Sequence, residues 1–242
     1  MFRHKGRRRT FYHNLRLAST LSFVAGLVNI VGVLSVATLT TNITGHFAFL
    51  AEEVSLKNYA KAITYIFYVL FFLLGAFTCN FLVELVSIKK PRISHALPMF
   101  IEILILTTIG FSTDLNPLYI AYALLFTMGL QNALVTNISQ SIVRTTHLTG
   151  LFTDLGINLS QLFFTKKENE MKRLSRSIYL RISIILFFFI GGVLGGLLFV
   201  SFQLKVLFMA VLLLIIALFL DNVIIYYNLA RRKMKAIKSK SF

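Results

Sequence analysis

Six stretches of the chain are apolar almost from end to end, at roughly 17–39, 62–87, 96–112, 117–140, 179–201 and 206–228, with polar or basic segments between them. A hydrocarbon core about 30 Å thick takes about 20 apolar helical residues to cross. Lipid leaves no place for open sheet edges. Each stretch is therefore expected to span a membrane as a helix. The cleanest, 62–83 and 182–200, hold no Asp, Glu, Lys or Arg. The runs are continuous and not alternating, which argues against a β-barrel. The first run also continues past a signal-peptide core without a small-residue cleavage site, so it reads as a retained helix.

Two places break the apolar pattern without adding acid or base to it. Residues 17–51 are 35 consecutive positions without a formal charge, more than one span uses. Within them lies Thr40-Thr41-Asn42-Ile43-Thr44-Gly45-His46-Phe47, and Thr145-Thr146-His147-Leu148-Thr149-Gly150-Leu151-Phe152 repeats it at an offset of 105 with five of eight positions identical. Upstream, Gly26-Leu27-Val28-Asn29 matches Gly129-Leu130-Gln131-Asn132 at an offset of 103. Downstream, Phe71-Phe72-Leu73-Leu74-Gly75-Ala76 resembles Phe187-Phe188-Phe189-Ile190-Gly191-Gly192. Three matches in one order mark an internal repeat. Each copy holds three spans, an odd number, so the halves are expected to sit in the membrane with opposite orientation.

In both copies the motif is expected to break a helix. Threonines cap helix ends, glycine takes backbone shapes other residues avoid, and a short second helix starts near Gly45 or Gly150. Its N-terminus offers unpaired N–H groups and partial positive charge, and irregular backbone at membrane depth belongs against protein or a polar cavity. The candidate solute-binding residues are therefore Thr41, Thr44, Gly45, Thr145, Thr146, Thr149 and Gly150, joined by the amides of Asn29, Gln131 and Asn132. The competing role for those amides is bonding between neighbouring helices. Arg144 stands before Thr145 where the first copy has Leu39. It suits an anionic solute or an acidic side chain, and equally lipid phosphates.

Two acids lie inside expected spans. Glu102 and Asp221 are ion-coupling candidates by their depth, and pairing with Arg144, Arg181 or one another is the structural alternative. Glu102 is favoured for coupling, and Asp221, nearer the basic tail, for structure. Glu84 is expected to reach the surface. Gly191, Gly192, Gly195 and Gly196 form a close helix-packing face. The histidines are scattered, and His46 and His147 occupy different places in the two motif copies, so no metal site is expected.

Charge orients the chain. Of 25 Lys and Arg, 22 fall in the N-terminal tail, the loops after spans 2 and 4, and the C-terminal tail. Lys57, Lys61 and Lys205 lie on the other side. Basic residues collect on the cytoplasmic face, so both termini are expected there. This pattern also accounts for the net charge of +16, through anionic lipid headgroups and without nucleic acid. Composition agrees: 57% hydrophobic and 14% charged, with mean hydropathy +0.77, leave too little charge to hydrate a soluble globule. A single cysteine excludes an internal disulfide and a thiolate zinc cluster.

The strings AGLVNIVGVL and TTNITGHF, then GLQNALV and VRTTHLTGLFTDLG, resemble the YoaK-type bacterial membrane proteins, a family grouped as a domain of unknown function. The resemblance spans essentially all six helices and implies a bacterial inner membrane. That family often carries an acid at the place of Asn29 and an asparagine at the place of His46.

The expected fold is an all-α polytopic membrane protein, six helices in a 3+3 inverted-topology repeat with breaks after spans 1 and 4. It is one membrane domain, 1–242, with basic tails at 1–16 and 229–242 and three-helix repeats at 17–113 and 114–228. The expected role is a secondary transporter or permease for a small polar or anionic solute, without cofactor or enzymatic activity. The alternative is a lipid-binding or accessory subunit whose glycine face serves assembly, a homo-oligomer included.

Overall fold

The computed structural model describes residues 10–89 and 94–219. Most of the expected N-terminal basic tail, Lys90 and Arg92, Asp221 and the basic C-terminal tail lie outside the described residues. Among the described residues all regular structure is helical: α1 (Phe11–Val36), α2 (Ile43–Ser55), α3 (Tyr59–Lys89), α4 (Ala96–Phe111), α5 (Pro117–Ser139), α6 (Leu148–Leu162) and α7 (Glu168–Phe202). A tight turn at Gln203–Val206 follows, and the chain is helical again over 207–219.

Four helical stretches are long and apolar enough to cross a membrane: Phe11–Val36, Tyr59–Ile88, Pro117–Ser139 and the run Glu168–Phe219. That is fewer than the six expected, for two physical reasons. The third stretch is α4, with 16 residues, about 24 Å at 1.5 Å per residue and short of a 30 Å core. The fifth and sixth run together through the Gln203–Val206 turn, and residues 220–228 lie outside the described part.

Both expected breaks are present. α1 ends at Ala37, whose φ of 49° is left-handed, and α5 ends at Gln140 with φ 51°. Beyond Ala37 come Thr38, Leu39, Thr40 and Thr41, and the β-branched threonines among them are poor helix formers. Thr38 Oγ1 donates to the Val36 carbonyl at 3.0 Å, serving an acceptor the ended helix leaves open. After α5, Ser139 Oγ accepts from the Val143 N–H at 3.1 Å.

α1 and α5 are the inner helices, each with 61% of its most apolar window buried, against 22% for α3 and 33% for the Glu168–Phe219 run. α1 packs along α7, α3 along α5, and α1 meets α5 at the centre. The short helices lie outside this core, α2 on α3 and α6 on α7. Lipid tails are as apolar as leucine, so close van der Waals contact has to hold such helices together. Glycine supplies it. A Cβ at Gly26 of α1 would overlap the Phe188 carbonyl of α7, and one at Gly191 the Phe23 carbonyl. Between α3 and α5, a Cβ at Gly129 would overlap the Phe72 carbonyl, and one at Gly75 the Phe126 carbonyl. Of the expected glycine face, Gly191 and Gly195 are buried, whereas Gly192 and Gly196 have looser neighbours.

Candidate functional site: a cavity between the two helix breaks

The first break folds back onto the helix it leaves. Asn29 Oδ1, on α1, accepts from the Thr41 N–H at 3.3 Å, the Thr41 hydroxyl at 3.0 Å and the Thr40 hydroxyl at 3.4 Å. α2 then starts at Ile43 with Asn42 as its cap, Asn42 Oδ1 accepting from the Gly45 N–H at 3.1 Å. α6 starts at Leu148 with His147 in the capping place, though without a side-chain cap bond. The residues in the capping place of α2 and α6 are thus not threonines, as expected, but Asn42 and His147, one of the three positions at which the motif copies differ. The glycines have a different use as well. Neither Gly45 nor Gly150 takes left-handed backbone; a Cβ at Gly45 would crowd the Asn42 amide at 2.8 Å, and one at Gly150 would overlap the His147 ring. A bare position in the first turn lets the capping side chain lie over the helix end.

Between the breaks lies a cavity of about 660 Å³, within the 300–1,000 Å³ common for small-molecule sites. Its wall is made of matched residues. Asn29 faces it with Asn132, Thr41 with Thr146, Asn42 with His147, Ile43 with Leu148, Thr44 with Thr149, and Phe72 with Phe188. Leu39 and Arg144 form the seventh pair, and Thr136 alone has no counterpart in the wall. The first residues of α2 and α6 both line it, so two helix N-termini border one space. No carboxylate lines it, and Arg144 is its one arginine or lysine. Among the described residues no acid pairs with Arg144, which is exposed. A mixed polar and apolar chamber with no carboxylate, a single guanidinium and two helix N-termini favours a negative guest.

The second copy is less closed on itself than the first. Asn132 Oδ1 and Thr145 Oγ1 are buried without a partner, while their counterparts Asn29 and Thr40 bond each other. Such atoms carry a desolvation cost until something pairs with them.

Of the expected residues, Asn29, Thr41, Thr44, Asn132, Arg144, Thr146 and Thr149 line the cavity; Gly45, Gln131, Thr145, Gly150 and Glu102 do not. Thr145 is fully buried. Gln131 turns the other way on α5, where its Nε2 donates to Glu102 Oε1 at 2.9 Å. Both side chains are fully buried, and Glu102 Oε2 and Gln131 Oε1 have no partner. Glu102 is therefore paired with an amide on α5 and with neither Arg144 nor Arg181. Lining residues outside the expected set include Phe72 and Phe188, which read only as repeat markers in the sequence, and Asn42 and His147, a place where the motif copies differ. The signal was their place in the repeat.

His46 belongs to a separate cluster beside α3. Its Nε2–H donates to the Leu39 carbonyl at 2.8 Å, and its ring meets Tyr68 edge-on at 5.2 Å. Burial holds its pKa below the usual histidine value, against the smaller opposing effect of that carbonyl.

Set against known families, residues 17–220 match the model of one described as "Protein of unknown function (DUF1275)". This agrees with the resemblance carried by the two threonine–glycine strings. No curated protein and no solved structure matches.

Proposed function

This chain belongs to the DUF1275 family of proteins of unknown function, and from its central cavity we propose that it is a membrane transporter or permease for a small anionic solute. The observation that carries the reading is the cavity wall, built almost wholly of residue pairs from matching places in the two halves. A solute site at the interface of inverted repeats is the arrangement of many secondary transporters.

The 3+3 inverted repeat belongs to this proposal and has further support. Ala37 and Gln140, at matching places, end their helices in the same left-handed turn. The glycine contacts exchange under the same match: Gly26 against Phe188 corresponds to Gly129 against Phe72, and Gly191 against Phe23 to Gly75 against Phe126. With both termini cytoplasmic in a bacterial inner membrane, as the basic residues suggest, the two breaks enter from opposite faces. Rocking one half on the other across these glycine crossings exposes the cavity to either side in turn. The role assigned is transport and not catalysis: among the lining residues Arg144 binds, the threonines and asparagines orient, and the helix ends supply N–H donors. Glu102 is the proposed coupling group. Its partner Gln131 adjoins Asn132 in the chain, so a solute seated at Asn132 bears on the turn of α5 that holds the buried carboxyl.

The test is uptake by proteoliposomes of fractionated anionic metabolites. The reading expects a fraction taken up by the native protein and reduced at least tenfold by Arg144→Gln. Uptake unaffected by Arg144→Gln removes the anion from the cavity.

A further inference from the structure

A second cavity, of about 700 Å³, opens between α6 and α7. It shares Arg144, His147 and Thr149 with the central cavity, so those residues form a common wall. On its far side Arg181 of α7 donates through one terminal nitrogen to Asp154 of α6 at 3.1 Å and through the other to Ser177 Oγ. The Arg181 Nε is buried with no partner. The pair is weakly held, since the Asp154 side chain is 54% exposed and half-solvated ion pairs contribute little.

The other half carries aromatic rings at the places matching this ion pair, although Lys61 also lines its cavity. A cavity of about 450 Å³ lies between α2 and α3 and is walled by His46, Phe49, Tyr65 and Tyr68. Phe49 stands where Asp154 does, 105 residues earlier, and Tyr65 where Arg181 does, 116 earlier. Their rings stack at 5.5 Å. At these matched places one pair of helices is clasped by stacked rings, with a Lys61–Glu53 ion pair at 3.6 Å elsewhere between them, and the other by an ion pair whose arginine has a donor to spare.

We infer that the α6–α7 cavity is an entry subsite for the anion, in which Arg181 exchanges the Asp154 carboxylate for the solute and passes it across the shared wall to Arg144. This rests on the reading of the central cavity as an anion site. The two arginines bracket one path, and Asp154 holds its outer cation while the path is empty. No bond is made or broken, and an anion replaces a carboxylate on the same guanidinium.

The test needs no knowledge of the solute. Two methanethiosulfonate probes of similar size, one bearing a sulfonate and one a trimethylammonium group, label full-length protein in detergent. The background is Cys79→Ala with Thr149→Cys, and Thr44→Cys is the companion on the α2 side. The ratio of anionic to cationic labelling rates at position 149 is expected to fall about tenfold with Arg181→Gln, through the loss of one unit charge in a partly screened space. It should rise by a similar factor with Asp154→Asn and hold with Arg181→Lys. The ratio at position 44 should stay constant. If Arg181→Gln does not fold, Asp154→Asn alone still decides. A ratio at position 149 unmoved by these variants overturns the entry subsite and leaves the central cavity standing. Failure of both probes at both positions overturns the central cavity, and the subsite with it.

Discussion

Asn29 and Asn132 occupy matching turns of α1 and α5, yet Asn29 Oδ1 accepts three hydrogen bonds from Thr40 and Thr41 while Asn132 Oδ1 accepts none. One asparagine ties its break back onto its own helix, and the other keeps a buried oxygen without a partner, which the proposed solute site would put to use. Asn29→Ala should therefore destabilise the protein by about 1–3 kcal/mol, since the buried Thr40 hydroxyl and the half-buried Thr41 groups lose their acceptor. Asn132→Ala should cost much less stability and more solute binding. Thermal unfolding in detergent separates them, and equal losses would contradict the division of roles.

The glycine crossings predict a graded series. Gly26→Ala and Gly129→Ala push a methyl group into a carbonyl of the opposing helix and should each cost about 1–3 kcal/mol or more, as overpacking does. Gly192→Ala, whose nearest neighbour stands at 3.7 Å, should be nearly neutral. Gly156→Ala, with nothing within 4 Å, should gain up to about 1 kcal/mol from helix propensity. Melting temperatures in that order support the packing, and a flat series argues against it.

Gly45 and Gly150 look alike in the sequence and should fail differently. Gly45→Ala displaces the Asn42 amide that caps α2, at a cost of about 1 kcal/mol. Gly150→Ala meets a histidine ring that makes no cap bond, so the ring swings aside and stability changes little. Because His147 lines both cavities, binding should suffer instead. Calorimetric unfolding and ligand binding on the two variants give opposite rankings if this holds.

Glu102 and Gln131 should behave as one unit. Gln131→Leu leaves a buried carboxyl without its amide donor and should cost about 1–3 kcal/mol, whereas Glu102→Gln keeps an amide–amide bond within reach. A double-mutant cycle should return a coupling of at least about 0.5 kcal/mol. Additive effects would place the two side chains apart.

The sequence made some of this legible and hid the rest for physical reasons. The break and its repeat were visible because threonines, asparagine and glycine interrupt an apolar run, and lipid tolerates such an interruption only against protein or a cavity. The pairing of Glu102 with Gln131 was not. Both lie in helices apolar on nearly every side, so periodicity gives no rotational phase to show that Gln131 faces α4 and Asn132 the cavity. Residue type alone suggested threonine caps at the start of α2 and α6; Asn42 caps α2 and His147 stands in the matching place without a cap bond, at one of the three positions that broke the match. α4 reads as a span by hydropathy, but Ser112 ends it at 16 residues.

The most direct measurement is the thermal stability of the purified protein against fractionated anionic metabolites, comparing the native chain with Arg144→Gln and with Thr44→Val/Thr149→Val. A ligand at about 100 times its Kd adds roughly 2.7 kcal/mol. The prediction is a fraction that raises the melting temperature of the native protein and leaves both variants unmoved, although they fold. A stabilising fraction that acts equally on the native protein and both variants would place its binding elsewhere and contradict the central cavity as the solute site.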